Sequence, residues 1–425
     1  MDRVRQVGGH VVASDAAASS FPCVASEYFA FDELLAPAER ALRATVRAFA
    51  ETYVLPRAAR CWEKAEFPHD LLPAIAKLGI CGSTVKGFGS PGLSHMANVA
   101  ILLELARVDT SLSTFFLVHN CLAIQSIALC ASDEQKQRYL PAMIRLDKVG
   151  CFALTEPERG SDASSLLSTA KPVEGGWVLN GRKRWIGNAT FADVFIVWAK
   201  HAETGAVLGF VVDKGSPGLS ATKIENKISL RIVQNGDIVM KDVFVPEKNR
   251  LPKAKDFASG PGQALTVSRV MVAWQPVGIA MGIYDHCLQY CKRREQFGAP
   301  LAAFQLNQEK LARMLGTIQG MIYMGLRMSQ LYTAGKLTPG HASLTKAMNS
   351  LRGREVAHLG RELLGGNGID GSYHVARLFC DMESIYTYEG TYDINMLVAG
   401  REITGMPAFK ASYKPKSKRN PPPHK

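Results

Sequence analysis

A glutamate near the end of the chain has the surroundings of a general base. Glu389 lies within residues 386–393, which read YTYEGTYD. Aromatic neighbours remove water from a carboxylate, which raises its pKa and makes it a stronger base. A general base works best when its pKa lies near the operating pH, roughly 6–7 for such glutamates. The octapeptide also fits an ordinary helix start with Glu389 in the first turn, so other stretches must decide between the two interpretations.

Two stretches in the middle of the chain suit a phosphorylated, aromatic ligand. Thr155 precedes Gly160 and Ser161, which offer backbone N–H groups and a hydroxyl to a phosphate. Trp185 presents a flat ring close to Gly187, where the backbone carries no side chain. The first stretch also fits a strand followed by a glycine turn, and the second a core tryptophan followed by a turn.

A third stretch, at the end of a long helical segment, contains Arg294, Gln296 and Phe297. It can bind an anion, or its cations can simply complement the negative end of a helix dipole.

The composition favours a globular protein without a membrane span. Of the 425 residues, 47% are hydrophobic and 21% charged, and no apolar run reaches 18 residues. Part of the net charge of +12 comes from a lysine-rich tail. The other basic residues are not interleaved with aromatic residues, so nucleic-acid binding is the weaker interpretation of the positive charge. Nine cysteines without a Cys-x-x-Cys pair predict free thiols and no metal site.

The hydrophobic periods divide the chain into five parts. We expect a disordered or targeting segment over 1–30, a helical domain over 31–148, a β domain over 149–252, a helical bundle over 262–408 and a basic tail over 409–425. Within the β domain, the Asn-Gly pair at 180–181 predicts a hairpin between residues 177–179 and 182–186. The apolar stripe after residue 262 predicts one long helix.

Taken together with Glu389, these stretches resemble the acyl-CoA dehydrogenase and oxidase superfamily of flavoproteins. Five strings appear in the order and spacing of that family between about residues 30 and 410: LTEPERGSD, WIGN, RREQFG, LGGNG and YEGT. Within the superfamily the sequence is most similar to the plant-type peroxisomal short-chain acyl-CoA oxidase, and next to glutaryl-CoA dehydrogenase.

The resemblance implies an α+β multidomain fold: an N-terminal helical domain, a middle β-barrel-like domain and a C-terminal four-helix bundle. It also implies an FAD cofactor, an acyl-CoA substrate and a homotetramer or dimer of dimers. Glu389 would be the base that removes the α-proton while hydride leaves the β-carbon for the flavin. The residues that would bind FAD, some of them from a neighbouring subunit, are Leu154, Thr155, Gly160, Ser161, Trp185, Gly187, Arg294, Gln296, Phe297, Gly366 and Thr391.

The chain departs from the family at two positions. Gly187 stands where most dehydrogenases of the family have threonine, and we expect the missing side chain to leave open volume through which oxygen reaches the reduced flavin. Ser113 stands where glutaryl-CoA dehydrogenase has the arginine that holds a distal carboxylate, which predicts a neutral short acyl chain. The preferred interpretation is therefore a short-chain acyl-CoA oxidase that makes trans-2-enoyl-CoA and hydrogen peroxide in fatty acid β-oxidation.

Two alternatives remain open at this point. One is a short-chain acyl-CoA dehydrogenase that passes electrons to an electron-transfer flavoprotein, and the other is a CoA-binding scaffold without catalysis. For localisation, Arg3-Val4 and His10-Val11 resemble an N-terminal peroxisomal signal. The match is imperfect, because the last position is Val11 where that signal usually has leucine or alanine. The rival is the mitochondrial matrix, which Asp2 and Asp15 disfavour.

Overall fold

The structure is a computed structural model in which residues 24–407 are described. The targeting string at residues 3–11 and the basic tail over 409–425 lie outside the described residues. The N-terminal part is helical, with two π-helical segments, Ala50–Val54 and Leu117–Ile124, that continue the α-helices around them. Its α-helices are α1 Pro37–Phe49, α2 Leu55–Lys64, α3 Leu72–Lys77, α4 His95–Val108, α5 Thr110–Phe116, α6 Gln125–Cys130 and α7 Asp133–Ile144.

The middle part is one mixed sheet of seven strands. These are β1 Gly150–Ala153, β2 Thr169–Val173, β3 Gly176–Ile186, β4 Val194–His201, β5 Val207–Asp213, β6 Leu219–Lys223 and β7 Gly236–Pro246. The strand order is β1-β4-β2-β3-β7-β6, and β5 pairs with β4. Strands β1 and β2 run parallel to β4, while the other pairs are antiparallel. Strand β1 lies at one edge of the sheet, and all four of its residues are buried. The chain therefore leaves β1 inside the protein.

The C-terminal part is helical again. Its helices are α8 Pro261–Val272, α9 Gln275–Arg293, α10 Gln305–Thr333, α11 Pro339–Leu363, α12 His374–Thr387 and α13 Tyr392–Thr404. Between α9 and α10, the two-residue strands Glu295–Gln296 and Ala299–Pro300 form a short hairpin. This order of helices, mixed sheet and helices is the architecture that the sequence predicts.

Two hydrophobic cores hold the fold. The larger one joins the N-terminal helices, the C-terminal helices and one side of the sheet, and includes the fully buried Trp198 and Trp274. The smaller one lies inside the curved sheet, around Leu179, Phe195 and Phe210. Two helical stretches, Thr110–Cys130 and Pro261–Arg293, are long and apolar enough to cross a membrane, but 89% and 78% of their apolar windows are buried inside the fold. They are the central helices of the larger core.

The predicted hairpin at residues 180–181 is wrong. Residues 176–186 form the single strand β3, and the Asn-Gly pair is an irregularity in its pairing with β7. The Asn180 side chain exchanges hydrogen bonds with Asp242 of β7, at 2.9 and 3.0 Å. A Cβ at position 181 would lie 2.3 Å from Ser168 Oγ, so a glycine is needed where β3 passes this close to Ser168. The tight turn lies at Glu174-Gly175 instead, between β2 and β3.

The predicted long helix after residue 262 is divided in two. Helix α8 ends at Val272, and α9 begins at Gln275 with Pro276 in its first turn. Proline is favoured in the first turn of a helix and disfavoured inside one, which explains the break. The break separates Ser268 and Arg269 on α8 from Gln275 on α9, and all three have roles in the site described next.

Candidate active site

Glu389 lies in a tight turn between α12 and α13, the segment Tyr388–Thr391, which we call the base loop. Its backbone is left-handed at Glu389, with φ 55°, and at Gly390, with φ 84°. That conformation is uncommon for residues other than glycine and costs free energy unless its surroundings hold it. Gly390 is required here because a Cβ would lie 2.8 Å from Asn395 Nδ2. Thr391 ends the loop as the cap of α13, where its Oγ1 accepts the N–H of Ile394 at 3.2 Å.

The Glu389 carboxylate is partly buried and interacts with polar and charged residues of two other helices, α8 and α11. Ser268 Oγ donates a hydrogen bond to Glu389 Oε2 at 3.1 Å. Burial raises the pKa of Glu389, and the charge of Arg269, the Ser268 hydrogen bond and the charge of Lys346 oppose that shift without cancelling it. A carboxylate with a raised pKa is a better proton acceptor than an exposed one.

Tyr388, the residue before the base, belongs to a network of neutral side chains. Its hydroxyl donates to Gln275 Oε1 at 2.5 Å and lies 3.4 Å from Thr114 Oγ1. Gln275 Nε2 in turn donates to Ser113 Oγ at 3.1 Å and to Thr114 Oγ1 at 3.3 Å. Ser113 and Gln275 are fully buried. Ser113, which the resemblance aligns with an arginine of glutaryl-CoA dehydrogenase, is thus an uncharged residue that is already hydrogen-bonded.

Residues 154–161, which follow β1 and which we call the strand-end loop, are fixed by a buried ion pair. Lys183 Nζ donates to the carbonyl of Leu154 at 3.1 Å and to Glu156 Oε1 at 2.9 Å. The Glu156 carboxylate also accepts the N–H of Ser168 at 2.9 Å. Both charged groups are buried, and burial lowers the pKa of Lys183 to about 8. The ion pair fixes the backbone of Leu154 and Thr155, two of the predicted flavin contacts.

Three further predicted contacts are accessible. Gly160 and Ser161 are exposed, and a Cβ at position 160 would meet no atom within 4 Å. Trp185, at the end of β3, is 52% exposed and has a left-handed backbone with φ 64°. The guanidinium of Arg184 lies 5.0 Å from its ring centre. These residues offer backbone N–H groups, a hydroxyl and an aromatic face to a ligand.

The expectation of open volume at Gly187 is wrong. Gly187 is buried, and a Cβ there would lie 3.1 Å from Cγ2 of Val118. A valine of the Leu117–Ile124 segment therefore fills the space that a threonine side chain would need. The position is therefore bordered by an apolar side chain and does not open into a channel.

The Leu117–Ile124 segment connects the sheet residues to the base. On one side Val118 packs against Gly187, and His119 Nδ1 accepts the N–H of Gly150 at 3.0 Å. On the other side Cys121 is close enough to Glu389 for the carboxylate to help raise the pKa of its thiol, after burial as the main cause. The base and the sheet-borne residues thus border the same segment of the chain.

The remaining predicted contacts lie elsewhere on the subunit. Arg294, Gln296 and Phe297 belong to the exposed hairpin after α9, and Phe297 is 97% exposed. Gly366 is also exposed, and its neighbour Asn367 donates to the Tyr290 hydroxyl at 3.0 Å. Within one subunit the structure does not bring these four residues to the base loop. An open groove beside the hairpin is lined by His286, Gln289, Tyr290, Arg293 and Arg294.

Several residues of this site are not recognisable as functional from the sequence. Ser268, Arg269, Gln275 and Lys346 lie in helices whose apolar pattern predicts only core packing. A lysine within an apolar helix face, such as Lys346, is the signal that could have identified a buried functional charge.

Comparison with known proteins agrees with this arrangement. Three family models match the chain: the acyl-CoA dehydrogenase N-terminal domain over residues 36–147, the middle domain over 151–243 and the C-terminal domain over 261–404. An acyl-CoA dehydrogenase of Bacillus subtilis is 32% identical over 368 residues, which cover 86% of this chain and 97% of that protein.

A subunit of the caffeyl-CoA reductase-Etf complex of Acetobacterium woodii is 34% identical, covering 81% of this chain and 91% of that protein. The crystal structure of glutaryl-CoA dehydrogenase from Mycobacterium smegmatis has a TM-score of 0.88 at 35% identity and covers 91% of this chain and all of that chain (100%). A glutaryl-CoA dehydrogenase of the same organism in complex with FADH2 has a TM-score of 0.88 at 33% identity, with the same coverage (91% and 100%). The chain therefore belongs to the acyl-CoA dehydrogenase family.

Proposed function

We propose that this protein catalyses the FAD-dependent α,β-dehydrogenation of short, straight, neutral acyl-CoA thioesters to trans-2-enoyl-CoA. The observation that carries the proposal is Glu389, a partly buried carboxylate with a raised pKa, held on a left-handed turn and hydrogen-bonded to Ser268. Strained backbone at a residue other than glycine is concentrated at functional sites, so the left-handed conformation of Glu389 points to function.

The family is FAD-dependent, and the residues present fit that cofactor. Gly160 and Ser161 are exposed and leave room for a phosphate, and Trp185 offers a half-exposed aromatic face. Leu154 and Thr155 would lie against the flavin ring on a backbone that Lys183 holds in place. When bound, FAD supplies the acceptor for the hydride that leaves the β-carbon.

The residues of the chain perform the proton transfer. Glu389 accepts the α-proton of the thioester, and Ser268 orients the carboxylate that receives it. Removal of water from the carboxylate raises its basicity, while Arg269 and Lys346 keep the ionised form accessible. The strained backbone fixes the direction from which the carboxylate approaches.

The neutral network beside the base supports a neutral acyl chain. Ser113, Thr114, Gln275 and Tyr388 satisfy one another's hydrogen bonds and leave no cation in that network for a distal carboxylate. Burying an unpaired carboxylate costs several kcal/mol, on the order of 3 or more. We therefore expect turnover of butanoyl-CoA, and turnover of glutaryl-CoA at a comparable rate would contradict the proposal.

For the electron acceptor, the comparisons support an electron-transfer flavoprotein. The relatives named above are dehydrogenases or a reductase, and one of them is a subunit of an Etf complex. We therefore propose that reduced enzyme passes its electrons to such a flavoprotein. Purified yellow protein bleached by butanoyl-CoA should then recover its colour when the flavoprotein is added, and remain bleached in air without it.

Oxygen is a second candidate acceptor, and Gly187 is the observation that favours it. A Cβ at this position would lie 3.1 Å from Val118 Cγ2, so an apolar side chain borders the place where most dehydrogenases of the family have a threonine. Such an enzyme would be a short-chain acyl-CoA oxidase of the plant type. Rapid recovery of colour in air with accumulation of hydrogen peroxide would select this candidate over the dehydrogenase.

A peroxisomal location accompanies the oxidase proposal, since hydrogen peroxide is removed there. It depends on the string at residues 3–11, which lies outside the described residues. A fluorescent reporter carrying residues 1–30 should collect in peroxisomes, whereas a mitochondrial pattern would support the rival location.

We also propose that the protein is a homotetramer in which the hairpin of one copy contacts the cofactor bound to another. Phe297 is 97% exposed at the tip of this hairpin, and the nearby Leu306 and Ile369 are 79% and 75% exposed. Apolar side chains this exposed favour association with a partner surface.

A further inference from the structure

Lys346 of α11 reaches the base loop from inside the protein. Its side chain is fully buried, and its Nζ donates hydrogen bonds to the carbonyls of Tyr386 at 3.2 Å and Gly390 at 2.8 Å. These two carbonyls lie on either side of Glu389 in the chain. One ammonium group therefore spans the turn that carries the base.

Asn395 of α13 holds the same turn without a charge. It is 1% exposed, and its Nδ2 donates to the carbonyls of Gly390 at 2.7 Å and Thr391 at 3.1 Å, with a longer contact of 3.4 Å to the carbonyl of Glu389. The Gly390 carbonyl thus receives one hydrogen bond from a cation and one from an amide. Comparing Lys346 with Asn395 therefore separates the effect of fixing the loop from the effect of a nearby positive charge.

The charged and titratable groups facing Glu389 come from four elements. Arg269 lies on α8, Lys346 on α11, Cys121 on the Leu117–Ile124 segment and Tyr388 on the base loop itself. Burial raises the pKa of the Cys121 thiol to about 12 and that of the Tyr388 hydroxyl above its usual range, so both stay neutral at physiological pH. Arg269 and Lys346 are the cations of this set.

The groups that face Lys346 are the Glu389 carboxylate, which favours its charged form, and the Arg269 guanidinium, which disfavours it. Burial is the largest influence and lowers the pKa of Lys346 to about 7. The ammonium is therefore charged below about pH 7 and becomes neutral as the pH rises through about 7.

We propose that Lys346 is a positioning residue that holds the base loop in its left-handed conformation and places a cation near the Glu389 carboxylate. The inference rests on the proposed function, because it assigns a role toward the proton transfer at Glu389. A buried cation is costly, and two carbonyl hydrogen bonds alone could be made by a neutral donor. The charge itself acts on Glu389, since a nearby opposite charge favours the ionised carboxylate.

The test compares the pH dependence of flavin bleaching by butanoyl-CoA in the wild-type holoenzyme, Lys346→Met and Asn395→Ala. Lys346→Met removes the cation, so the acid limb of kcat/KM should move to higher pH by roughly one unit. Asn395→Ala should lower kcat because the loop loosens, while the acid limb stays where the wild type has it. Lys310→Met, which removes a lysine paired with Glu362 at 2.8 Å on the protein surface, serves as the control for loss of a positive charge.

Two results would overturn the inference: an acid limb in Lys346→Met that coincides with the wild type, or an equal displacement in Asn395→Ala. If Lys346→Met does not fold, Lys346→Gln keeps one donor for the Gly390 carbonyl and must show the same displacement. Failure of the proposed function is recognised separately, because the wild-type flavin would then not bleach with butanoyl-CoA at any pH.

Discussion

At the scale of single residues, the base combines strain with desolvation. Glu389 occupies a left-handed backbone conformation, and burial raises its pKa above the usual value of a glutamate. The proton can be accepted only by the ionised carboxylate. We therefore expect the anaerobic bleaching rate to fall as the pH decreases through a pKa above the glutamate value of 4.5. Stopped-flow absorbance between about pH 4 and 9 measures this limb, and a rate independent of pH down to about 4.5 would contradict it.

The contact between Gly187 and Val118 gives a second prediction at this scale. The Cβ of a threonine at position 187 would lie 3.1 Å from Val118 Cγ2. Gly187→Thr should therefore destabilise the protein by about 1–3 kcal/mol, the usual cost of overpacking. The double variant Gly187→Thr/Val118→Ala should recover most of that loss. Thermal unfolding of the wild type, Gly187→Thr, Val118→Ala and the double variant tests the contact, and a Gly187→Thr protein as stable as the wild type would show that the valine moves away freely.

The same variants address the acceptor. If the apolar edge at Gly187 permits reaction with oxygen, Gly187→Thr/Val118→Ala should reoxidise more slowly in air than the wild type. An unchanged rate of reoxidation would remove the support for the oxidase candidate.

At the scale of elements, the exit from β1 depends on the buried ion pair between Lys183 and Glu156. Loss of one partner leaves an uncompensated buried charge, which costs about 3–5 kcal/mol. Lys183→Met should therefore lower thermal stability and weaken FAD binding, because the backbone of Leu154 and Thr155 is no longer held. Fluorescence titration of the apoprotein with FAD measures the affinity.

The double variant Lys183→Met/Glu156→Gln should regain part of the stability, since both charges are gone. Arg250→Met is a suitable control. Arg250 pairs with the half-exposed carboxylate of Glu247 at a distance of 2.6 Å, and exposed ion pairs contribute only about 0–1 kcal/mol to stability. Wild-type FAD affinity in a folded Lys183→Met protein would contradict the role that we give to the ion pair.

Elements also show how far the sequence could lead. The order of helices, strands and helices follows from the hydrophobic periods, and Glu389, Trp185 and Gly160 stand out by residue type. The hairpin at 180–181 could not be distinguished from a strand irregularity, because the deciding contacts of Asn180 with Asp242 and of Gly181 with Ser168 come from strands distant in sequence. Lys346 and Gln275 were missed for the same reason, since their partners lie in other helices.

At the scale of the whole molecule, one buried carboxylate joins the helical bundle to the segment between β6 and β7. Asp381 of α12 is 1% exposed and its Oδ1 accepts the N–H of Leu230 at 2.6 Å. Burial, followed by the charge of Asp109, raises the pKa of Asp381 to about 7. Because the folded pKa exceeds the unfolded value of 3.8, the folded state binds the proton more tightly. The stability from this group is complete below the unfolded pKa and decreases as the pH rises toward about 7.

Asp381→Asn keeps an acceptor for the N–H of Leu230. At pH 8 we expect this variant to unfold at a higher temperature than the wild type, with a free energy of unfolding that is larger by at least about 1 kcal/mol. At pH 5, where part of this contribution remains, the difference should be smaller than at pH 8. Asp70→Asn, at an exposed ion pair with Arg57, is the matched control. A variant less stable than the wild type at pH 8 would show that the carboxylate is stabilised by its neighbours.

The exposed hairpin gives the prediction for assembly. Phe297→Ser removes an apolar side chain that is 97% exposed in a single subunit, so it should not destabilise the monomer. It should lower the proportion of tetramer and weaken FAD binding if the hairpin contacts a second copy. Light scattering coupled to size-exclusion chromatography measures the first effect, and an unchanged tetramer with unchanged FAD affinity would contradict the proposed contact.

The most direct test of the central claim is anaerobic stopped-flow bleaching of the holoenzyme by butanoyl-CoA and by its α-dideuterated form. If Glu389 removes the α-proton, deuterium should slow the bleaching of the wild type severalfold, and Glu389→Gln should retain FAD but not bleach. Bleaching of Glu389→Gln at the wild-type rate, or a wild-type flavin that butanoyl-CoA does not reduce, would contradict the account.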